Sequence, residues 1–456
     1  MYSACSPGIA AFARGVLGNL ASPSFAPAGA SIVGGGSAGI RAGAERAVIL
    51  RGGPILTVDE ACPVAEAIAI RGSRILAVGS ATEVKRHFTP ATEILDLEGR
   101  AVLPGFVESD VNVLGSALAG SDGPHLLSDD PGRVAELGAA KLREFAARGC
   151  TTVYDTSVGR VAGAAEHELL GALARAPDAP VRVRGALVPQ LARAIDAAPR
   201  SGDERYDVIG IAYWADGPVH VGAAALSEPY LDGSGAGGLN HADDELCAAM
   251  RSWQRAGWQL IVHASGDRAG EQALRCFEEI LEHRPAMDVR HRIDGFALAS
   301  DEQVARAAAL GLSLSHAIDH VYFWGEDLRD HRLGPERAGR LHSILREVEQ
   351  EICSSCHSGR QVDPLLSVRT AMTRLMRDSD DVLGPFQQLD LEQALSTVTR
   401  NPARQALLGE RVGMLRAGML ADLVVLDRDP REVAPERLHE LRVLETWLGG
   451  RRQRWI

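Results

Sequence analysis

The stretch AVLPGFVESDVN, residues 101–112, decides how the rest of the chain is read. A hydrophobic run ends in Pro104 and Gly105, and a short strand opening at Phe106 and Val107 leads to Asp110 and Asn112. Side chains alternate along a strand, so residues two apart share a face. Asp110 and Asn112 therefore point the same way, where a strand ends.

Outward from this segment, strands and helices alternate. The helical run AELGAAKLREFAARG leads into CTTVYD at 150–155, and VRVRGALV at 181–188 and VIGIAYWADG at 208–217 read as further strands. The helix DDELCAAMRSWQRAG, the strand WQLIVHASGD and the helix AGEQALRCFEEILEH follow, then VRHRIDGF, SDEQVARAAALG and LSLSHAIDHVYFW. Repeated β–α units across 102–409 predict a (β/α)8 TIM-like barrel, a fold of about 250 residues whose strand C-termini carry the site. The flanks, 46–101 and 410–456, are rich in short strands with Gly turns, as in EAIAIRGSRILAVGS and GMLADLVVLDRDP. They predict one small β-sandwich formed from both ends of the chain. Residues 1–45, rich in Ala, Gly, Ser and Pro, lack a basic start and a clean apolar core; they read as a disordered leader.

The 456 residues carry a net charge of −12, which argues against a nucleic-acid groove. No long uncharged apolar run predicts a membrane span. A small-molecule substrate is the expected partner, and a homodimer the usual assembly. Seven cysteines at irregular spacing do not form a disulfide framework on paper and fit a reducing cytoplasm. Cys353 to His357 matches the CxxCH pattern of haem attachment, a five-residue match too short to carry that reading.

Several segments resemble the amidohydrolase superfamily, in its amidohydrolase-3 branch, which includes N-substituted formamide deformylase. They are LPGF at 103–106, GCTTVYD at 149–155, ADGPVHVGAAALSEPY at 215–230, VHASGDRAGEQAL at 262–274, HRID at 291–294, DHVYFWGEDLRDHRLGPERAGRL at 319–341 and LRAGMLADLVVLDRDP at 415–430. The resemblance implies a metal cradle, and the ligand positions can be carried over one by one. The paired histidines of the first strand fall on Asp110 and Asn112. The carboxylated lysine falls on Ala212. The first later histidine is kept as His263. The second falls on Gly295, and the final aspartate on Gly359 or, in another register, on Cys356. His263 is thus the only retained ligand position.

What remains at the expected strand ends is rich in acid–base groups. His263, Asp110, His320 and Asp294 are the candidate catalytic residues. Asn112, Trp214, His316, Tyr322, Trp324 and His357 are the candidate substrate contacts. His316 has a core-histidine reading beside this one, and Asp216 and Asp267 have a capping reading. Three functions stay open. The first is a metal-independent enzyme that acts on a small amide or related C–N compound by His/Asp acid–base chemistry; a lyase, cyclase or isomerase belongs to the same reading. The second is a catalytically inactive binding or regulatory homologue, favoured by the glycines and alanine at the old ligand positions. The third is a hydrolase with a single zinc or iron ion, held by Asp110, His263 and a borrowed histidine such as His316 or His320. No cofactor is expected on the first reading.

Overall fold

The computed structural model describes residues 47–119, 130–282, 288–379 and 381–453; the leader expected at 1–45 lies outside them. Five strands come first: β1 (Ala47–Leu56), β2 (Val64–Arg71), β3 (Arg74–Gly79), β4 (Glu93–Asp96) and β5 (Ala101–Pro104). Eight follow in the middle of the chain: β6 (Phe106–Val111), β7 (Cys150–Val158), β8 (Arg182–Leu187), β9 (Tyr206–Trp214), β10 (Gln259–Ala264), β11 (Arg292–Gly295), β12 (Ser313–Ala317) and β13 (Ser354–His357). The last three are β14 (Leu423–Leu426), β15 (Val443–Leu448) and β16 (Arg451–Arg452).

The middle eight pair in sequence order, each parallel to the next, from β6 to β13. The ends of this sheet meet through side chains: Ser355 Oγ on β13 donates to Ser109 Oγ on β6 at 3.0 Å. The Ser358 N–H then donates to Glu108 Oε1 at 2.9 Å. This is the nearly closed parallel barrel that the alternation of strands and helices predicts. Parallel strands here are covered on both faces, and β7, β8 and β13 are buried along their whole length although their sequences, CTTVYDTSV, RVRGAL and SSCH, mix polar with apolar residues. Helix starts are marked in the sequence. Ser300 and Gln303 form a reciprocal capping box, and Asp130 and Asp363 cap helices that open with Pro131 and Pro364.

Both ends of the chain combine as expected, in one mixed sheet of order β16-β15-β14-β5-β1-β2-β3, with β4 beside β1. The first half of β1 pairs with β4 and the second with β5. The switch occurs at Gly52 and Gly53, where a side chain on Gly53 would lie 2.1 Å from the Arg100 carbonyl. A buried ion pair pins this sheet to the barrel: Arg182 on β8 grips Asp422, which precedes β14, and both are 1 % exposed.

One cysteine expectation is corrected. Cys247 and Cys276 form a disulfide across 29 residues. They sit on the helices Asp243–Arg255 and Asp267–Leu281, which pack side by side after β9 and β10. Irregular spacing hid a pair that only helix packing brings together. Among the described residues, no helix is long and apolar enough to cross a membrane.

Candidate active site

Inward-facing side chains converge at the C-terminal ends of β6, β10, β11 and β13. Asp110 Oδ2 lies 3.5 Å from His263 Nδ1 and 3.7 Å from His357 Nε2. His263 Nε2 faces Asp294 Oδ2 at 3.9 Å and has no hydrogen-bond partner, although it is buried. Thr156 donates its hydroxyl to Asp110 Oδ1. His357 Nδ1 pairs with Ser315 Oγ at 2.9 Å, and Ser315 with Ser109 at 3.0 Å. These serines form a hydrogen-bonded floor across the barrel where β6, β12 and β13 meet.

Arg292 is the fixed charge of this interior. Its Nε and Nη2 donate to the two oxygens of Asp294 at 2.7 and 2.8 Å, and Nη2 also reaches the Ser109 carbonyl at 2.8 Å. Both residues are fully buried. Burial works against the Arg292 charge, but Asp294 more than offsets it and the guanidinium is raised above its ordinary value. For Asp110, burial alone would raise the carboxyl. The imidazoles of His263 and His357, the Thr156 hydroxyl and Arg292 outweigh it and hold the group below its ordinary value. Burial pushes His357 down to about 4, so it is a neutral imidazole at pH 7.

Two cavities share Asp110 and Asn112. One of about 480 Å³ is lined by Asp110, Asn112, Thr156, Arg160, Trp214 and His263. The other, about 380 Å³, is lined by Glu108, Asp110, Asn112, His357 and Arg360, among others. A roomier cavity of about 640 Å³ lies away from them, around His167, Arg175 and Tyr206. Its volume is greater, but the clustered acid–base groups mark the smaller pair as the site.

The structure brings together His263, Asp110, Asp294, His357, Asn112 and Trp214. Trp214 stacks on His263 with ring centroids 5.0 Å apart and planes 6° apart, because β9 and β10 pair in register there. It does not bring in His316. Ser315 faces the barrel interior, so its neighbour His316 faces out, with Nε2 2.8 Å from Glu347 and no exposed surface. His320, Tyr322 and Trp324 lie on the helix Asp319–Asp327 and line neither cavity. His320 packs on His220, Trp324 and His342, while Tyr322 lies under Arg369. Of the three aromatic residues expected as substrate contacts, Trp214 alone lines the site. Asp216 is a loop clasp: it accepts the N–H groups of Ala225, Ser265 and Gly266, each at 2.8 Å. Asp267 similarly accepts the Ser227 N–H at 2.8 Å. Cys356 faces out of the barrel while His357 faces in, and burial pushes its thiol up to about 12, so the two form no nucleophile dyad. Sequence reasoning missed Arg292, Thr156 and Arg160. Arg292 was within reach, since it stands two residues before Asp294 and shares its face.

Three donors, one each from Asp110, His263 and Asp294, lie within 4.8 Å of one another, and His263 Nε2 is unpartnered. That set fits one ion at most. Both Asp294 oxygens are already held by Arg292, and Ala212 is buried with no donor where a bridging lysine would stand. The two old ligand positions now held by glycine resist a side chain. Gly295 has φ +90°, a backbone conformation that side chains rarely adopt. A side chain on Gly359 would start 2.7 Å from His320 Nε2 and 2.8 Å from Asp319 Oδ1. Gly295→Ala should therefore cost about 1–3 kcal/mol in a urea unfolding titration. An unchanged midpoint and slope would show that the strain does not exist.

Ionisation of the surrounding carboxyls gives a stability signature. Burial pushes Glu108 up to about 8, and burial together with the neighbouring Glu166 also raises Asp155. Each keeps its proton in the folded chain at a pH where the unfolded chain has released it. Their contribution is full below the ordinary carboxyl range and is lost as pH rises towards 8. Burial pushes His291 and His357 down to about 4, so their contribution is full above the ordinary histidine range and is lost only as pH falls. Between pH 6.5 and 8 the carboxyls dominate, and stability should fall by about 2 kcal/mol at most per group. Thermal melts at the two pH values read this, and Glu108→Gln should flatten the slope. A flat wild-type profile would refute it.

The model of the amidohydrolase family matches residues 112–453. YtcJ of Bacillus subtilis is 28% identical over 250 residues, 52% of this chain and 45% of that protein. The N-substituted formamide deformylase of Arthrobacter pascens is 27% identical over 198 residues, 43% of this chain and 36% of that protein. The chain thus spans less than half the length of these curated relatives. In fold it is similar to an uncharacterised metal-dependent hydrolase from Pyrococcus horikoshii, with TM-score 0.71 and 19% identity over 85% of this chain and 99% of that one. The family match opens at Asn112, just past β6, and takes in every barrel strand from β7 to β13. Its incomplete set of metal donors is therefore a departure within a shared architecture, and the chain belongs to the amidohydrolase family.

Proposed function

We propose that the chain is a C–N bond hydrolase of small amides in which Asp110 and His263 move the protons, with reduced or absent dependence on metal. The observation that carries this reading is the placement of His263 between two carboxylates, at 3.5 and 3.9 Å, beside a cavity that Asp110 lines. Asp110 meets water and substrate; His263, within reach of the carboxyls of Asp110 and Asp294, passes the proton on. In hydrolysis, water adds to the amide carbonyl and loses a proton to Asp110 and His263. The C–N bond then breaks as that proton passes to the leaving nitrogen, giving a carboxylic acid and an amine. Arg292 fixes Asp294 in place and opposes the rise that burial imposes on its carboxyl, and Trp214 holds the imidazole plane. When bound, one ion at Asp110, His263 and Asp294 would supply a Lewis acid beside the carbonyl.

The experiment is turnover of N-substituted formamides and simple amides by chelator-treated protein, with elemental analysis of the same sample. Turnover that persists at substoichiometric metal supports the reading. Activity lost on chelation and regained with zinc would replace it by a single-metal hydrolase. The closed glycine positions favour a second reading, a non-catalytic binding homologue, and the absence of turnover on every amide with intact ligand binding would select it. Free Cys62, Cys150, Cys353 and Cys356 support a cytoplasmic location, which the Cys247–Cys276 disulfide opposes.

A further inference from the structure

We infer that Arg160 recognises an anionic substituent, so that the substrate is a small amide carrying a carboxylate. This rests on the reading that the cavity beside Asp110 and His263 is where reaction occurs. Arg160 lines that same cavity. Its guanidinium lies over the Trp214 ring, 4.6 Å from the centroid, and Trp214 is in turn stacked on His263. Guanidinium, indole and imidazole thus form one file, which ties the position of the charge to that of the reacting imidazole.

Among the described residues the Arg160 side chain meets no carboxylate and donates no hydrogen bond, whereas Arg148 and Arg175 pair with Asp363 and Asp203. The chain holds 60 acidic against 48 basic residues, so acids are not scarce. A second donor stands in the same cavity. Asn112 Oδ1 accepts the Gly115 N–H as a helix cap, which leaves its Nδ2 without an acceptor among the described residues. One part of the cavity therefore offers N–H donors and a positive charge, and another offers Asp110 and His263. A neutral formamide would leave the first part unused. An N-acylated amino acid satisfies both, with its carboxylate on Arg160 and its amide at Asp110. In a protein of net charge −12, an anion needs such a local partner to enter at all.

Calorimetric titration of the full chain with N-acetylglycine and N-acetylglycinamide tests this, because the probes differ in charge and hardly in size. The wild type should bind the anion about tenfold to a hundredfold more tightly, the range expected of a charge-assisted contact. Arg160→Gln should erase the preference without weakening the neutral probe, and added salt should weaken the anion alone. Arg160 is exposed, so the variant should fold as the wild type does, which circular dichroism checks. Equal binding of the two probes by the wild type, no binding of either, or a preference that survives in Arg160→Gln overturns the assignment. Binding and turnover report separately. Anion preference without turnover of any amide keeps the subsite and removes the catalytic reading; turnover of amides with no anion preference does the reverse.

Discussion

His263→Ala should lower kcat/KM on a turned-over amide by about 10²–10⁴-fold, the range of general acid–base catalysis, with little change in stability. The expected loss is in kcat, since His263 takes part in proton transfer in the transition state and not in ground-state binding. Asp110→Asn should fall in the same range. It removes the carboxylate that meets water, while its amide can still accept the Thr156 hydroxyl. The double variant should lose scarcely more than either single one, because the two residues handle one proton between them. If each single variant lost little and the double lost the product of both, the proton-sharing pair would be wrong. Full turnover in His263→Ala would remove the imidazole from the chemistry altogether.

The scaffold was legible because it is written in local pattern. Strand and helix alternation named the barrel, and the β-rich ends named the composite sheet. Asp110, His263 and Asp294 were reachable because each stands at the end of a strand, and strand period fixes its face. The hidden features depend on packing across the chain. His316 and Ser315 are neighbours in sequence, but the one facing the site is the serine, and nothing local announces that register. His320 and Trp324 lie in a segment read as resembling the family's, yet their helix directs them onto His220 and His342. The disulfide joins two helices that lie 29 residues apart at its cysteines. The closure of Gly359 is equally non-local: its obstacles, Asp319 and His320, lie on a different βα unit.

Arg292→Met should destabilise the protein by about 3–5 kcal/mol at neutral pH, the cost of stranding one partner of a buried ion pair. Burial already raises the Asp294 carboxyl; without Arg292 it would lose the cation that holds it down, with Asp110 close by, and the Ser109 carbonyl would lose its donor. Arg292 also lies over the Tyr154 ring at 5.2 Å, so a long apolar side chain keeps most of that packing. The loss should therefore be electrostatic, and two controls separate it from a cavity. Replacing the pair together, as Arg292→Met with Asp294→Leu, should recover most of the stability, because no lone charge remains. Zinc should stabilise the single variant more than the wild type. With Arg292 gone, both oxygens of Asp294 are free to join Asp110 and His263, and a ligand that binds only the folded chain raises its stability with concentration. The guanidinium would then be what holds the third metal donor out of use. A single variant as stable as the wild type would show that the pair contributes nothing. A deficit that neither the double substitution nor zinc repairs would show lost packing, and would leave the donor set blocked by its spacing instead.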